Sequence, residues 1–490
     1  MTQTAYQTEF DKLFIGGRWV TPSTSHVIKV HSPATGEYVG KVPLAAAADV
    51  DAACAAARKA FDEGPWPRMT PQERQAVIAN AVKLIEDRAD LFKFLLKAET
   101  GQPSMIVDMV QYGAALSGLQ YYSEAADKFT WTDVRDGIYG QTLVLREPIG
   151  VVGAVAAWNV PMFLACNKLG PALLAGCTMV LKPAAETPLS VNALAEVFAE
   201  AGLPEGVLSV VPGGAETGRA LTANPDVDKY TFTGSSEVGR EVGRLAAEKL
   251  KPCTLELGGK SAAIILEDAE LDSTLGMLLF SGLLNSGQAC IAQTRILAPR
   301  SRYEEIVGKI GAAVAAMPVG MPDDPGAVIG PLISEKQRER VEAYIKEGQR
   351  EGARLVTGGG RPEGLDRGYF VEPTVFADVD NSMTIAQEEI FGPVLAVIPY
   401  DTEQDAVRIA NESAYGLAGS VWTTDFDKAI EIASKIRTGT YAVNMYAFDP
   451  GAPFGGYKNS GVGRENGPEG IEAYVELKSV LLPFGYTPKA

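Results

Sequence analysis

The sequence predicts an α/β protein with two doubly wound parallel-sheet domains and a small arm of β-strands. Three observations predict it. From about residue 145, short runs of β-forming residues alternate with helical stretches, the pattern of βαβ units and a parallel sheet. A second alternation runs from Cys290 to about residue 445. Two further segments, 127–148 and 474–490, read as strands with polar turns and fit neither sheet.

Residues 50–100 read as packing helices. "DVDAACAAARKAFDEG" is alanine-rich and closes on glycine. "TPQERQAVIANAVKLIEDRADLFKFLLKAETG" opens on Thr-Pro, carries apolar residues at helical spacing and stops on glycine. The strands of the first alternation are "IGVVGAVAAWN", "CTMVLKP", "GVLSVVPG", "KYTFTG" and "TLELGG", with helices such as "PLSVNALAEVFAEAGLP" and "SSEVGREVGRLAAEKL" between them. The second supplies "TRILAP", "RLVTGG", "YFVEPTVF", "VLAVIPY", "GLAGSVWT" and "TYAVN". The domain boundaries that follow are 1–126 with 149–259 for the first unit and 260–450 for the second. Segments 127–148 and 474–490 form the arm, and 451–473 is a glycine-rich loop. Exposed strands like those of the arm often join subunits.

The chain of 490 residues is long enough for two or three domains and a sizeable core. Its net charge of −17 argues against a polyanion partner such as nucleic acid. No charge-free apolar run reaches the roughly 18 residues that span a membrane. The opening "MTQTAYQTEF" lacks the basic start and apolar run of a signal peptide. Cys54, Cys166, Cys177, Cys253 and Cys290 are scattered, without a C-x-x-C pair. That disfavours a disulfide framework and a structural zinc site and fits a reducing compartment. The expectation is a cytoplasmic protein without a metal, whose partners are small molecules and copies of itself.

Ligands of parallel α/β sheets bind beyond the carboxyl ends of the strands, so each strand end is a place to look for chemistry. The dinucleotide fingerprint G-x-G-x-x-G and the P-loop are both absent. In "YTFTGSSEVG" a strand ends at Gly234 and a helix opens at Ser235 and Ser236. Free N–H groups and a partial positive charge there suit an anion, though an ordinary N-cap would look the same. "VLKPAAETPLS" ends a strand at Lys182, which can donate to ribose hydroxyls. "AAWNVP" ends one at Asn159, whose amide can stabilise an oxyanion. "NSGQACIAQTR" holds Cys290 among small and polar residues. A cysteine nucleophile needs a base to form its thiolate, yet the two histidines, His26 and His31, both lie near the start. "TLELGGK" offers a carboxylate instead: Glu256, at a strand end, where partial desolvation would raise its pKa towards neutrality. "EEIFGPV" places Glu389 and Phe391 in a turn, a carboxylate for a ribose diol and an aromatic for a flat ring.

In this order and together, "WNVP", "LKPAAETP", "FTGSSEVG", "LELGGKS", "GQACIAQTR" and "EEIFGPV" resemble the NAD(P)-dependent, non-acylating aldehyde dehydrogenase superfamily. The resemblance runs from "FIGGRWV" and "SPATGE" to "PFGGYKNSGVGRE". It implies a Rossmann-like NAD(P)-binding domain in 1–126 and 149–259, a catalytic domain in 260–450, and oligomerisation strands in 127–148 and 474–490. The glycine-rich loop 451–473 would border the substrate channel, and the site would lie in the cleft between the domains. Cys290 would attack the aldehyde to give a thiohemiacetal, its oxyanion held by Asn159 and the Cys290 N–H. Hydride loss would leave a thioester, and Glu256 would activate the water that releases the acid. Lys168 and Glu465 would relay protons to that base. Trp158, Lys182, Ala185, Gly234, Ser235, Ser236, Leu257, Glu389 and Phe391 would hold the cofactor. Ala114, Val160, Phe163, Leu164, Ala289, Ile291, Phe448 and Phe454 would line the aldehyde channel.

Two departures stand out. Ala157 precedes Trp158 where proline is common. Ala185 stands where many NAD-using members carry a glutamate that binds the adenosine 2′-hydroxyl. Glu186 can substitute, so the sequence leans to NAD with NADP tolerated. The channel is apolar or aromatic and has no arginine to grip a carboxylate, which points to an apolar aliphatic or aromatic aldehyde. A homodimer or homotetramer is expected from the arm. Two alternatives share the motifs: a coenzyme A-acylating enzyme, which would not need Glu256, and a non-catalytic binding or structural protein, which would not need the reactive set.

Overall fold

The computed structural model describes residues 6–486. The last positions of the expected strand segment 474–490, residues 487–490, lie outside the described residues. Two sheets carry the architecture. The first has eight strands in the order Gly461–Val462, Cys253–Glu256, Lys229–Thr233, Val151–Val155, Thr178–Lys182, Leu208–Val210, Leu13–Ile15, Arg18–Val20. The strands from Cys253–Glu256 to Leu208–Val210 run parallel, and the outer strands on both sides run antiparallel. The helices Ala47–Glu63, Pro161–Ala175, Leu189–Glu200 and Ser236–Glu248 pack on this sheet or its neighbours, burying runs that are nearly all apolar on the facing side. Strands covered on both faces read as continuous apolar runs, and Thr178–Lys182 and Val151–Val155 are buried almost throughout.

The second sheet has seven strands, ordered Arg354–Thr357, Thr374–Ala377, Val394–Tyr400, Arg295–Pro299, Ala262–Ile265, Gly419–Trp422, Ala442–Val443. All its pairs are parallel except the first. Thr132–Gly137, Gly140–Pro148 and Val475–Leu481 form a separate antiparallel sheet. Val27–His31 and Tyr38–Pro43 make a two-stranded hairpin that the sequence reading did not foresee.

Two local expectations need correction. The long helix expected after Thr70 is two helices, Pro71–Asp87 and Ala89–Thr100, broken at Arg88, whose backbone (φ −114°, ψ 25°) leaves helical geometry. The glycine stop is real: Gly101 has φ 68°, the left-handed conformation that favours glycine at a helix end. The glycine-rich loop 451–473 is not a loose loop. Gly461–Val462 pairs with the strand that ends in Glu256, Phe454 bridges to Glu465, and Gly467–Glu472 is helical. A strand of two residues is invisible to periodicity, and only the open edge of the first sheet creates it.

Candidate active site

The strand ends of the first sheet lie in one row, because the parallel register pairs Val155 with Lys182, Phe232 with Val155, and Thr233 with Glu256. Above that row a cavity of about 950 Å³ opens between the two sheets. The second domain brings Cys290 to it. The helix Leu271–Leu283 ends in a tight turn in which Asn285, Ser286 and Gly287 have φ of 55°, 58° and 71°. The turn is held by its own side chains. Asn285 Nδ2 donates to the carbonyls of Asn159 (3.0 Å) and Gln288 (3.2 Å), and Ser286 Oγ donates to that of Gly330 (3.0 Å). A Cβ on Gly287 would stand 2.1 Å from the Gly392 carbonyl, so glycine alone lets the two segments meet.

Of the residues singled out from sequence, the cavity gathers Cys290, Glu256, Asn159, Glu465, Trp158, Gly234, Ser235, Leu257, Glu389 and Phe391. It also gathers the whole expected substrate set: Ala114, Val160, Phe163, Leu164, Ala289, Ile291, Phe448 and Phe454. Lys168, Lys182, Ala185 and Ser236 are not in its wall. Lys168 is fully buried one layer behind, paired with Glu465 at 2.6 Å and donating to Thr233 Oγ1 at 2.8 Å. Lys182 Nζ donates to the carbonyls of Pro183 (2.8 Å) and Gly213 (2.7 Å), and burial brings its pKa down to about 8. Glu186, not Ala185, reaches the cavity. Ser236 Oγ donates to the Asn459 carbonyl at 3.2 Å, while Ser235 caps the helix by accepting from the Val238 N–H.

The electrostatics at the thiol end are severe. Glu256 is 3 % exposed, and neither carboxyl oxygen has a hydrogen-bond partner among the described residues. Desolvation raises its pKa well above the ordinary range, the charge of Glu465 adds to this, and Lys168 and Arg464 oppose it. Gly455 makes the pocket possible, since a Cβ there would come within 2.8 Å of Glu256 Oε1. Burial also pushes the Cys290 thiol up, followed by the charges of Glu389 and Glu256. The backbone N–H groups of Cys290 and Ile291 act the other way. Asn159 Nδ2 donates to the Gln288 carbonyl at 3.0 Å, which leaves its second hydrogen for another acceptor. Glu389 is raised to about 7 by burial, against the Gly259 N–H that donates to it at 2.9 Å. Trp158 and Phe391 meet edge to face at 5.2 Å, and Phe163 and Phe448 do so at 4.7 Å.

Sequence reasoning missed part of the wall. Asn167 lies four residues after Phe163 on the same helix, and Ser117 three after Ala114, so helical spacing could have found both. Met109, Val110 and Gly113 come from a π-helical stretch, Val107–Gly113, which sequence does not announce. Gln337 and Arg340 carry no local signature. They donate to the Phe391 and Glu389 carbonyls at 2.8 Å each, and so fix a turn in which Phe391 has φ 61°.

A thiol, a desolvated carboxylate and an amide donor share one cleft, an arrangement that suits acyl chemistry at a carbonyl carbon. Known proteins narrow the class. Residues 19–480 match the model of the aldehyde dehydrogenase family, and the chain belongs to that family. It is 47 % identical over 471 residues to geranial dehydrogenase of Castellaniella defragrans, covering 96 % of this chain and 98 % of the relative. An aldehyde dehydrogenase of Mycobacterium tuberculosis, solved with NAD+, superposes with a TM-score of 0.98 at 71 % identity, covering 98 % of this chain and all of that one. An aldehyde dehydrogenase C mutant from Pseudomonas syringae, solved with NAD+ and octanal, gives 0.93 at 40 % identity, with 98 % of both chains covered. The chain is therefore an enzyme that oxidises an aldehyde to its carboxylic acid. Among the described residues, no helix is long and apolar enough to cross a membrane.

Proposed function

We propose that this chain oxidises an apolar aliphatic or aromatic aldehyde through a thioester on Cys290, with NAD+ as cofactor. The carrying observation is the one cavity that holds Cys290, Glu256 and Asn159 together with Gly234, Ser235, Glu186 and Glu389. The far residues fit a dinucleotide: a helix N-terminus suits a pyrophosphate, and the Glu186 and Glu389 carboxylates suit ribose diols. Glu186 also repels a 2′-phosphate, which supports NAD over NADP. Bound NAD+ supplies the hydride acceptor.

The chain's own groups do the rest. Glu256 takes the Cys290 thiol proton and hands it on, and Cys290 Sγ attacks the aldehyde carbon. The free hydrogen of the Asn159 amide with the Cys290 N–H holds the oxyanion until loss of hydride from the adduct leaves the thioester. Glu256 takes a proton from water, which attacks the thioester and frees Cys290 and the acid. Lys168 and Glu465, behind Glu256, receive and return that proton. A carboxylate base at the thiol favours hydrolysis over transfer to coenzyme A. Phe163, Phe448 and Phe454 with the aliphatic wall favour an apolar substrate body, as do the names of relatives that handle geranial and octanal.

The sheet of Thr132–Gly137, Gly140–Pro148 and Val475–Leu481 exposes Val134, Ile138, Tyr139, Leu477 and Leu481, which supports its use in joining two or four copies. The free cysteines support a cytoplasmic setting. The test is formation of reduced nicotinamide, followed by absorbance across a panel of aldehydes with NAD+ and NADP+. Signal is expected with NAD+ and lost in Cys290→Ala. Signal only when coenzyme A is added would overturn the hydrolytic reading, and a monomer by light scattering would overturn the oligomer.

A further inference from the structure

The two donors of the oxyanion site come from different domains, and one buried side chain ties them together. Asn159 follows the strand Val151–Val155 of the first sheet, whereas the turn that carries Cys290 follows the helix Leu271–Leu283. Gln111 lies on the π-helical stretch Val107–Gly113 and is fully buried. Met109, Val110 and Gly113 of that stretch line the cavity, but Gln111 is not in its wall. Its Nε2 donates to the Asn159 carbonyl at 2.8 Å and to Asn285 Oδ1 at 3.0 Å. The first bond holds the backbone of the oxyanion residue. The second fixes which end of the Asn285 amide faces Gln111, and so leaves Asn285 Nδ2 for the Asn159 and Gln288 carbonyls. Asn159 Nδ2 donates to the same Gln288 carbonyl at 3.0 Å, which closes the network. Gln111, Asn159, Asn285 and Gln288 are all buried.

Asn285 and Ser286 hold left-handed backbone at φ 55° and 58°. Non-glycine residues stay there only when their surroundings over-determine the conformation. Gln111 supplies one such constraint from the opposite domain. The position needs two hydrogens on one nitrogen, which an amide has and an ionised carboxylate or an aliphatic side chain lacks. We propose that Gln111 is a positioning residue for the oxyanion site: acting through Asn159, it sets where the Asn159 amide stands relative to the Cys290 N–H. Gln111 itself touches neither substrate nor cofactor. This inference rests on the aldehyde-oxidising reading above and adds a residue to its machinery.

The test is a double-mutant cycle on kcat for one good aldehyde, with Gln111→Met, Asn159→Ala and the double variant. Asn159→Ala is expected to lose about 10²–10³-fold, the usual scale for an oxyanion donor. Gln111→Met is expected to lose about 10- to 100-fold, because a small misplacement of a catalytic group is costly. Its KM for NAD+ should stay at the wild-type value. In the Asn159→Ala background, Gln111→Met should cost nothing further, since residues acting through one another are not additive. The same loss from Gln111→Met in both backgrounds overturns the inference, as does full activity of Gln111→Met. A rise in KM for NAD+ that matches the fall in kcat also overturns it, because the cleft as a whole has then loosened. If Gln111→Met does not fold, Gln111→Glu, which keeps the shape and loses the paired hydrogens, takes its place in the cycle. A wild type inactive towards every aldehyde would overturn the proposed function; an active wild type with an additive cycle overturns this inference alone.

Discussion

Two buried carboxylates lie in the same half of the molecule and do opposite things. Glu99 is 1 % exposed and accepts from the Leu189 N–H at 2.7 Å, the Ser190 N–H at 3.2 Å and the Ser190 hydroxyl. It pins the start of the helix Leu189–Glu200, and burial raises it to about 7. Glu256 is 3 % exposed, has no donor on either oxygen among the described residues, and has Glu465 close enough to raise it further. Burial and a raised pKa are common to both, so neither marks chemistry by itself. What separates them is the partners and the place: Glu99 spends its lone pairs on the fold, whereas Glu256 has no donor among the described residues and lines the cavity that holds Cys290.

This contrast breaks if the two carboxylates respond alike to removal. Glu256→Gln is expected to lower steady-state turnover by roughly 10²–10⁴-fold, the usual scale for loss of a general base. Its thermal melting temperature should not fall, since no hydrogen bond is lost. Glu99→Ala is expected to do the reverse. The chain should lose about 1–3 kcal/mol of stability in a denaturant titration, because three donors lose their acceptor, while kcat of the folded enzyme stays at the wild-type value. A fall in kcat for Glu99→Ala comparable to that of Glu256→Gln would erase the distinction.

A smaller effect sharpens the role of an exposed carboxylate in the same cavity. Glu186→Ala should raise KM for NAD+ by about 10-fold, the value of one net hydrogen bond, and narrow the preference over NADP+. An unchanged cofactor ratio would show that Glu186 does not touch the ribose.

The finest test is the pH profile. As the proposed general base Glu256 must be deprotonated to act, so kcat is expected to fall as pH drops through its raised pKa. Glu465 raises that pKa and Lys168 lowers it. Glu465→Gln should therefore move the acid limb to lower pH, and Lys168→Met should move it to higher pH. Shifts of the same sign in both variants would contradict the electrostatic account.

Much of this was legible in the sequence, and the reasons are local. A glycine after a strand, a serine at a helix start and a carboxylate before Gly-Gly are one-dimensional signals. Their residues, Gly234, Ser235 and Glu256, line one cavity. What was not legible came from elements that meet only in space. Lys168 and Glu465 were named from the resemblance, but their direct pairing across 297 residues of sequence comes only from the fold. The strand Gly461–Val462 exists because the edge beside Glu256 is open. Gln337 and Arg340 matter through two backbone carbonyls that no pattern foretells.

The sequence by itself determined the alternation of strands and helices, the carboxyl-end placement of the reactive side chains, and a histidine-poor thiol's need for a carboxylate base. Those follow from short-range geometry, since a strand end is a strand end wherever the chain goes. Only the tertiary structure decided which buried groups have partners. Desolvation and hydrogen-bond satisfaction depend on every segment packed around a side chain. So the idle oxygens of Glu256 and the satisfied ones of Glu99 look alike until the chain has folded.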